Sequence, residues 1–283
     1  MQSTGRYRKA LINERSREVN RVHETLEDAG VKLSSVATDV MGASGRAMMQ
    51  ALIGGQADPE VLAELAKGKL RAKLPALRKA LTARFRGHHA FLLERMLAHV
   101  DDLEADIVAL SERIGAAVDP FAAEVELLCS IPGVGKRSAE VILAEIGPDM
   151  GRFPTAGHLA SWAGVCPGQR ESAGKRGSAK TRKGSKWLRT ALIESARAAA
   201  RSKGTYLSER YRQVCRRRGD RKAIVAVGHE ILIAAWRVLS TGQPYEDPGP
   251  ETLRNLSAEH VKNRAVAQLR ALGYTVSIEA PAA

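Results

Sequence analysis

A seven-residue repeat of apolar side chains constrains the fold of this chain more than any other pattern. Between residues 81 and 114, spacings of three and four residues alternate along one apolar series. The series consists of Leu93, Met96, Val100, Leu103, Ile107, Leu110 and Ile114. This is the spacing of the a and d positions of a coiled coil, and it predicts one long α-helix. Three partners for that helix stay open: its own domain, another helix of the chain in a hairpin, or a second copy. We expect a homo-oligomer formed through this coiled coil.

The composition favours helices in the rest of the chain as well. Phe, Trp and Tyr make up 4% of the residues, whereas Ala, Leu, Arg and Glu are abundant. We predict a mainly α fold, in which coiled-coil helices are followed by a helical C-terminal domain that contains a helix-hairpin-helix. Changes in sequence composition divide the chain into a helical and coiled-coil region 1–118, a C-terminal domain 119–245 and a flexible tail 246–283. The apolar stretch 223–239 is predicted to be the central buried helix.

Several classes of protein are excluded by simple features. Cys129, Cys166 and Cys215 are odd in number and form no Cys-x-x-Cys pair, which argues against a disulfide framework and a zinc ribbon. The adjacent pair His88-His89 has poor geometry for a metal on a helix, so we expect no metal site. Neither a signal peptide nor a run of 18 apolar residues is present. We expect a cytoplasmic protein that does not contact a membrane.

The positive charge is concentrated in one segment. Residues 165–222 carry 18 Lys and Arg but 4 Asp and Glu, whereas the whole chain has a net charge of +13. The other residues therefore sum to about −1, counted from the same composition. Such a basic segment is typical of a surface that lies along a phosphate backbone, because neutralised phosphates release counterions. Within it, residues 169–186 form a loop rich in Gly, Ser, Lys and Arg.

A second signal for nucleic acid precedes this segment. The sequence 131–135, Ile-Pro-Gly-Val-Gly, separates two predicted helices and predicts a helix-hairpin-helix. Gly133 and Gly135 would let the backbone approach a phosphate, and the following helix would direct its free N–H groups at that anion. Lys136 and Arg137 add positive charge at the same place. The alternative is an ordinary helical hairpin with a glycine turn.

The stretch 127–244 resembles the C-terminal domain of a bacterial transposase family, the insertion-sequence family numbered one hundred and ten, which includes the Piv-type DNA invertases. The matching motifs are the 131–135 hairpin, Phe153, the run 159–164, Pro167 with Gln169, Ser172-x-Gly174-Lys175, the run 183–189 and the Ala-rich helix after it. The segments 6–27 and 39–53 also resemble this family.

The resemblance implies a serine nucleophile, which falls on Ser172, and a RuvC-like domain whose Asp-Glu-Asp-Asp quartet holds Mg²⁺. Ala173 stands where the family usually has Gly. The quartet should precede Arg6, and the five residues before Arg6 do not contain it. We therefore expect an N-terminally truncated chain that holds no cofactor of its own and is inactive alone, with Mg²⁺ required by the full-length family member. The resemblance also implies DNA and a structured bridge RNA as partners.

The sequence thus predicts a DNA transposase or site-specific recombinase that cleaves and exchanges strands through Ser172. Ser178 and Ser185 are competitors in the same loop but lack the Ser-x-Gly-Lys context. The expected nucleic-acid-binding residues are Gly133, Gly135, Lys136, Arg137, Lys175, Arg176, Lys180, Arg182, Lys183, Lys186 and Arg189. The alternative is a non-catalytic DNA- or RNA-binding protein built on the same hairpin.

Overall fold

The computed structural model describes residues 2–166, 171–172, 175–176, 181 and 183–277. Over these residues the chain is mainly α-helical, which confirms the predicted fold class. The chain divides into two compact units, 3–117 and 118–283. Each unit has its own buried core, as expected when amphipathic helices cover one another's apolar faces.

The first unit contains five α-helices, together with 3-10 turns at Leu33–Ser35 and Gly68–Lys73. The α-helices are α1 (Gln2–Asp28), α2 (Ala43–Ile53), α3 (Pro59–Glu64), α4 (Leu74–Leu81) and α5 (Gly87–Val118). Their apolar faces meet in one core, to which α5 contributes Leu93 and Leu97 and α1 contributes Val22 and Leu26. The second of these 3-10 turns is basic, and its lysines are exposed.

Helices α1 and α5 lie antiparallel in this unit. The end of α1 meets the start of α5 through Asp28 and His89, and Arg15 reaches Glu104 at 2.7 Å further along. The apolar repeat of α5 therefore packs within the chain at its N-terminal end, where Leu93 is fully buried. This is one of the arrangements that the heptad spacing left open. The predicted single helix over 81–114 was wrong at its start, because α4 ends at Leu81 and α5 begins at Gly87.

The second unit is built around one central helix. Its elements are α6 (Ala122–Cys129), α7 (Lys136–Ile146), α8 (Ala156–Trp162), β1 (Glu171–Ser172), β2 (Lys175–Arg176), α9 (Lys186–Arg201), α10 (Tyr206–Arg218), α11 (Asp220–Thr241) and α12 (Pro250–Ala271). Helix α11 packs against α6, α8, α9 and α10, as predicted for the apolar stretch 223–239. Its length and apolar composition would also suit a membrane span, but half of its most apolar window is buried inside the protein. Packing in this core therefore accounts for its composition.

The C-terminal stretch contains one further helix. Helix α12 covers Pro250–Ala271 and contacts α10, within the region 246–283 that the sequence predicted as a flexible tail. Leu253, near the start of α12, is buried. This contact gives the beginning of the helix an apolar anchor.

Candidate nucleic-acid interface

The turn between α6 and α7 uses its first glycine for packing. Gly133 has a φ of +87°, a conformation that residues with a side chain rarely adopt. A Cβ atom at this position would lie 2.5 Å from the backbone nitrogen of Ala199 in α9, and closer still to the carbonyl oxygen of Ser195. The close approach of two backbones therefore explains this glycine. Phosphate binding by Gly133 stays a prediction.

The second glycine leaves the start of α7 open. Gly135 is the N-cap of α7, no side chain caps this end, and a Cβ atom at Gly135 would meet nothing within 4 Å. Lys136 and Arg137 follow on the first turn, and both are exposed. The first N–H groups of a helix have no partner within the helix, and the helix dipole places partial positive charge there. The start of α7 is therefore suited to an anion such as a phosphate.

The serine loop, residues 165–185, is closed at its base by contacts that the sequence did not predict. Gly184 lies against the turn that ends α8: a Cβ atom there would be 2.9 Å from the nitrogen of Gly164 and closer to the oxygen of Ala163. Ser185 donates its hydroxyl hydrogen to Glu145 at 2.8 Å and accepts from the N–H of Leu188. Glu145 belongs to α7 and is 7% exposed. These contacts fix the two ends of the loop to each other and to α7.

The sequence contained one indication of the contacts that close the serine loop, but it did not identify the residues that form them. A glutamate next to Ile146, on a helix whose Ile142 and Leu143 are also buried, is a carboxylate in an apolar setting that requires a partner. Which hydroxyl would serve as that partner depends on tertiary structure, so Glu145 and Ser185 were not paired by sequence reasoning.

Within the serine loop, the backbone forms a short antiparallel hairpin. Ser172 in β1 is paired with Lys175 in β2, and Glu171 is paired with Arg176. The backbones of the predicted nucleophile and the predicted phosphate ligand are thus paired across this hairpin.

The other basic residues predicted to bind nucleic acid in and after the loop differ in their exposure. Lys183 and Lys186 are exposed, Arg189 is half-buried, and Lys180 and Arg182 lie outside the described residues. The ammonium of Lys186 lies 4.8 Å from the ring centre of Trp187, which is a cation–π contact.

The predicted binding residues form two groups, at opposite ends of the α7–α9 pair. The start of α7 lies near the end of α9 through Gly133, whereas the end of α7 meets the start of α9 through Glu145 and Ser185. Gly135 and Glu145 are ten positions apart in α7, which corresponds to about 15 Å of helix. This spacing equals roughly four base pairs of duplex DNA. The hairpin end and the serine-loop end can therefore contact the same nucleic acid at separate phosphates.

Further arginines join the hairpin end. Arg216, Arg217 and Arg218 occupy the last turn of α10 and are exposed. Arg197 of α9 lies 3.8 Å from Asp220, directly after this run, which places the run near the end of α9. By contrast, Arg212 is paired with Glu209 at 2.9 Å. The described residues provide no ion pair for the 216–218 run, so its charges are available to a ligand.

One group of potential metal ligands occurs in the described part of the first unit, at the junction of α1 and α5. Asp28, His88 and His89 have ligand atoms within 4.8 Å of one another. However, Nδ1 of His89 accepts a hydrogen bond from the N–H of Arg86, and Nε2 lies 3.0 Å from Oδ2 of Asp28. Because Nδ1 is an acceptor, Nε2 carries the proton of the neutral ring and donates it to the carboxylate. His89 thus caps α5 and joins it to α1, and its nitrogens are already in use.

Comparisons with known proteins find a family match within the second unit. Residues 125–212 match the model of the transposase family IS116/IS110/IS902. An uncharacterised protein of insertion element IS110 from Streptomyces coelicolor is 31% identical over 184 residues, which are 65% of this chain and 40% of that protein. A probable family 20 transposase from Pseudomonas aeruginosa is 30% identical over 162 residues, 56% of this chain and 47% of the relative. The pilin gene-inverting protein of Moraxella bovis is 31% identical over 125 residues, 42% of this chain and 38% of the relative.

The matched region thus spans less than half the length of these relatives. It contains the α6–α7 hairpin, the serine loop, α9 and the first half of α10. Residues 125–212 are therefore similar to the transposase domain of the IS116/IS110/IS902 family.

Proposed function

We propose that this chain binds DNA and contributes a serine nucleophile, Ser172, to transposition or site-specific recombination. The observation that carries the proposal is the pairing of Ser172 with Lys175 in a loop whose base is fixed to α7. The names of the relatives, which include transposases and a gene-inverting protein, support a role in transposition or recombination.

The proposed step is the attack of the Ser172 hydroxyl oxygen on a phosphodiester. The oxygen loses its proton and bonds to phosphorus, while one of the two bonds from phosphorus to a deoxyribose oxygen breaks and that oxygen takes up a proton. Lys175 and Arg176 would neutralise charge on the phosphate. A serine hydroxyl is a weak nucleophile at neutral pH and requires a base or a metal to activate it.

The described residues do not fit the Mg²⁺ that the family resemblance implies. Mg²⁺ prefers oxygen ligands in octahedral geometry, whereas the described group at the α1–α5 junction offers one carboxylate and two imidazoles. We therefore propose that the acidic metal ligands come from a RuvC-like domain, and that this chain binds without cleaving when it is alone.

We also propose two partners besides DNA. A structured bridge RNA would occupy part of the same cationic surface, and it should then compete with duplex DNA for the chain. A second copy of the chain would associate through α5, on which Phe91, Leu92 and Val108 are exposed. Sedimentation of the chain should then show a dimer that Phe91→Ser together with Val108→Ser converts to a monomer.

Covalent capture on DNA tests the proposed nucleophile. The chain is incubated with Mg²⁺ and a nicked duplex that prevents religation, with and without a RuvC-like domain, and adducts are resolved under denaturing conditions. We expect no adduct from the chain alone, and a phosphoserine adduct with the added domain. Ser172→Ala should abolish the adduct, whereas the control Ser178→Ala should preserve it.

An adduct that survives Ser172→Ala would exclude Ser172 as the nucleophile. Binding with no adduct under either condition would favour the alternative, a non-catalytic nucleic-acid-binding protein. The open start of α7 and the arginines of α10 support that alternative too, since neither feature requires Ser172.

A further inference from the structure

The second unit exposes one large aromatic ring beside the serine loop. Trp162, the last residue of α8, is 49% exposed, whereas Trp187 and Trp236 are half-buried. Exposed indole surface of this size is uncommon in a packed helical unit, because burial of a tryptophan contributes strongly to stability.

One side of the Trp162 ring packs against residues of the core. Trp162 packs against Phe153, with 5.5 Å between the ring centres and an interplanar angle of 56°. Phe153 is itself buried, and its carbonyl oxygen accepts a hydrogen bond from the indole of Trp236 at 3.0 Å. Part of the Trp162 ring therefore contacts the core, and the remaining surface is free.

The surroundings of this ring are cationic. The turn that follows Trp162, at Ala163 and Gly164, is the place where Gly184 closes the base of the serine loop. Lys183 and Lys186 flank that base and are exposed. An aromatic face beside lysines is the combination with which proteins bind single-stranded nucleic acid, since bases stack on the ring while the cations follow the backbone.

We propose that Trp162 is a stacking site for an unpaired base of the nucleic acid that occupies the serine loop. In a duplex, each base is covered on both faces by its neighbours, so the ring can only accept a base from a nicked, frayed or single-stranded segment. Such segments arise where strands are cleaved and exchanged. Trp162 is thus a positioning residue that holds a strand end near Ser172, and this inference rests on the proposed nucleic-acid binding.

Affinity for a single strand relative to a duplex tests this site. Fluorescence anisotropy is measured with a labelled deoxythymidine oligonucleotide, which forms no base pairs, and with a blunt hairpin duplex. Trp162→Ala should weaken binding of the single strand by about 5- to 150-fold, the range expected for loss of one stacked base. Trp162→Phe should retain most of the affinity. Binding of the duplex should change less than about twofold, since duplex contacts go to phosphates.

Two further measurements make the outcome decisive. Tyr274→Ala, which removes an exposed aromatic side chain in the C-terminal stretch, is the matched control and should change neither affinity. Tryptophan fluorescence should be quenched when the oligonucleotide binds, and Trp162→Phe should remove that quenching. Equal loss of single-strand and duplex affinity in Trp162→Ala, or unchanged quenching in Trp162→Phe, would overturn the stacking site while leaving the proposed function intact. If the unaltered chain bound neither ligand, both proposals would fail.

Discussion

At the scale of single residues, the two glycines of the α6–α7 turn have different roles. Gly133 combines a positive φ with a close approach to α9, whereas Gly135 has a φ of −91° and open space around it. Both glycines fit the same sequence motif, and the motif alone does not distinguish them. The distinction depends on where α9 lies, which is a property of the tertiary structure.

We therefore expect alanine to destabilise the protein much more at Gly133 than at Gly135. Gly133→Ala should lower the free energy of unfolding by roughly 2–4 kcal/mol, because it adds backbone strain and a clash with α9. Gly135→Ala should cost about 1 kcal/mol or less, because alanine is a poorer N-cap than glycine but meets no clash at this position. Urea unfolding followed by circular dichroism measures both values. Equal losses would show that α9 does not pack on this turn.

At the scale of secondary-structure elements, helix starts were predictable where a capping side chain was present. Ser185 caps α9 and Thr205 caps α10, and a Ser or Thr directly before an apolar periodic run is a recognisable signal for a helix start. The break between α4 and α5 was missed because its capping residue, His89, is an uncommon one for this role. The partner of α5 was likewise undetermined, since a heptad repeat specifies an apolar stripe but not the helix that covers it.

Glu145 and Ser185, at the base of the serine loop, should contribute to stability as a coupled pair. In a double-mutant cycle, Glu145→Ala and Ser185→Ala should each destabilise the protein, and their coupling free energy should be about 1.5–3 kcal/mol, as for a hydrogen bond to a charged group. Thr155→Ala removes an N-cap of α8 and serves as the uncoupled control. Thermal unfolding of the four proteins of the cycle gives the coupling. A coupling near zero would mean that Glu145 does not hold the loop.

The contact between α10 and α11 predicts a stability change at alkaline pH. Tyr211 donates a hydrogen bond to Asp220 at 2.9 Å, and this bond, assisted by Cys215, raises the pKa of the phenol from 10.0 to about 12. The folded state thus retains this proton at pH values where the unfolded chain loses it. The stabilisation is fully present below pH 10 and is lost as the pH rises towards 12.

Replacement of Tyr211 tests whether loss of its proton causes this decline in stability. Tyr211→Phe should flatten the decline in the free energy of unfolding between pH 10 and pH 12. Urea titrations at a series of pH values provide the comparison. An unchanged decline would show that another group is responsible.

At the scale of the whole molecule, the net positive charge is concentrated in one segment of the second unit. The basic segment 165–222 forms the serine loop, α9 and α10, so the composition alone indicated which unit carries the cationic surface suited to nucleic acid. What the sequence left undetermined is the division of this surface into two ends about 15 Å apart along α7. That division follows from the antiparallel packing of α7 and α9, and linear spacing in the sequence does not encode it.

The salt dependence of DNA binding tests the nucleic-acid interface most directly. The association constant of the chain for duplex DNA is measured against salt concentration, and it should fall steeply. Replacing Arg216, Arg217 and Arg218 by Gln should weaken binding to all sequences alike. Each lost phosphate contact should reduce the slope of log K against log salt by about 0.9. The control Arg212→Gln, whose guanidinium is already paired with Glu209, should change the slope little. A triple variant with the affinity and slope of the unaltered chain would contradict the interface.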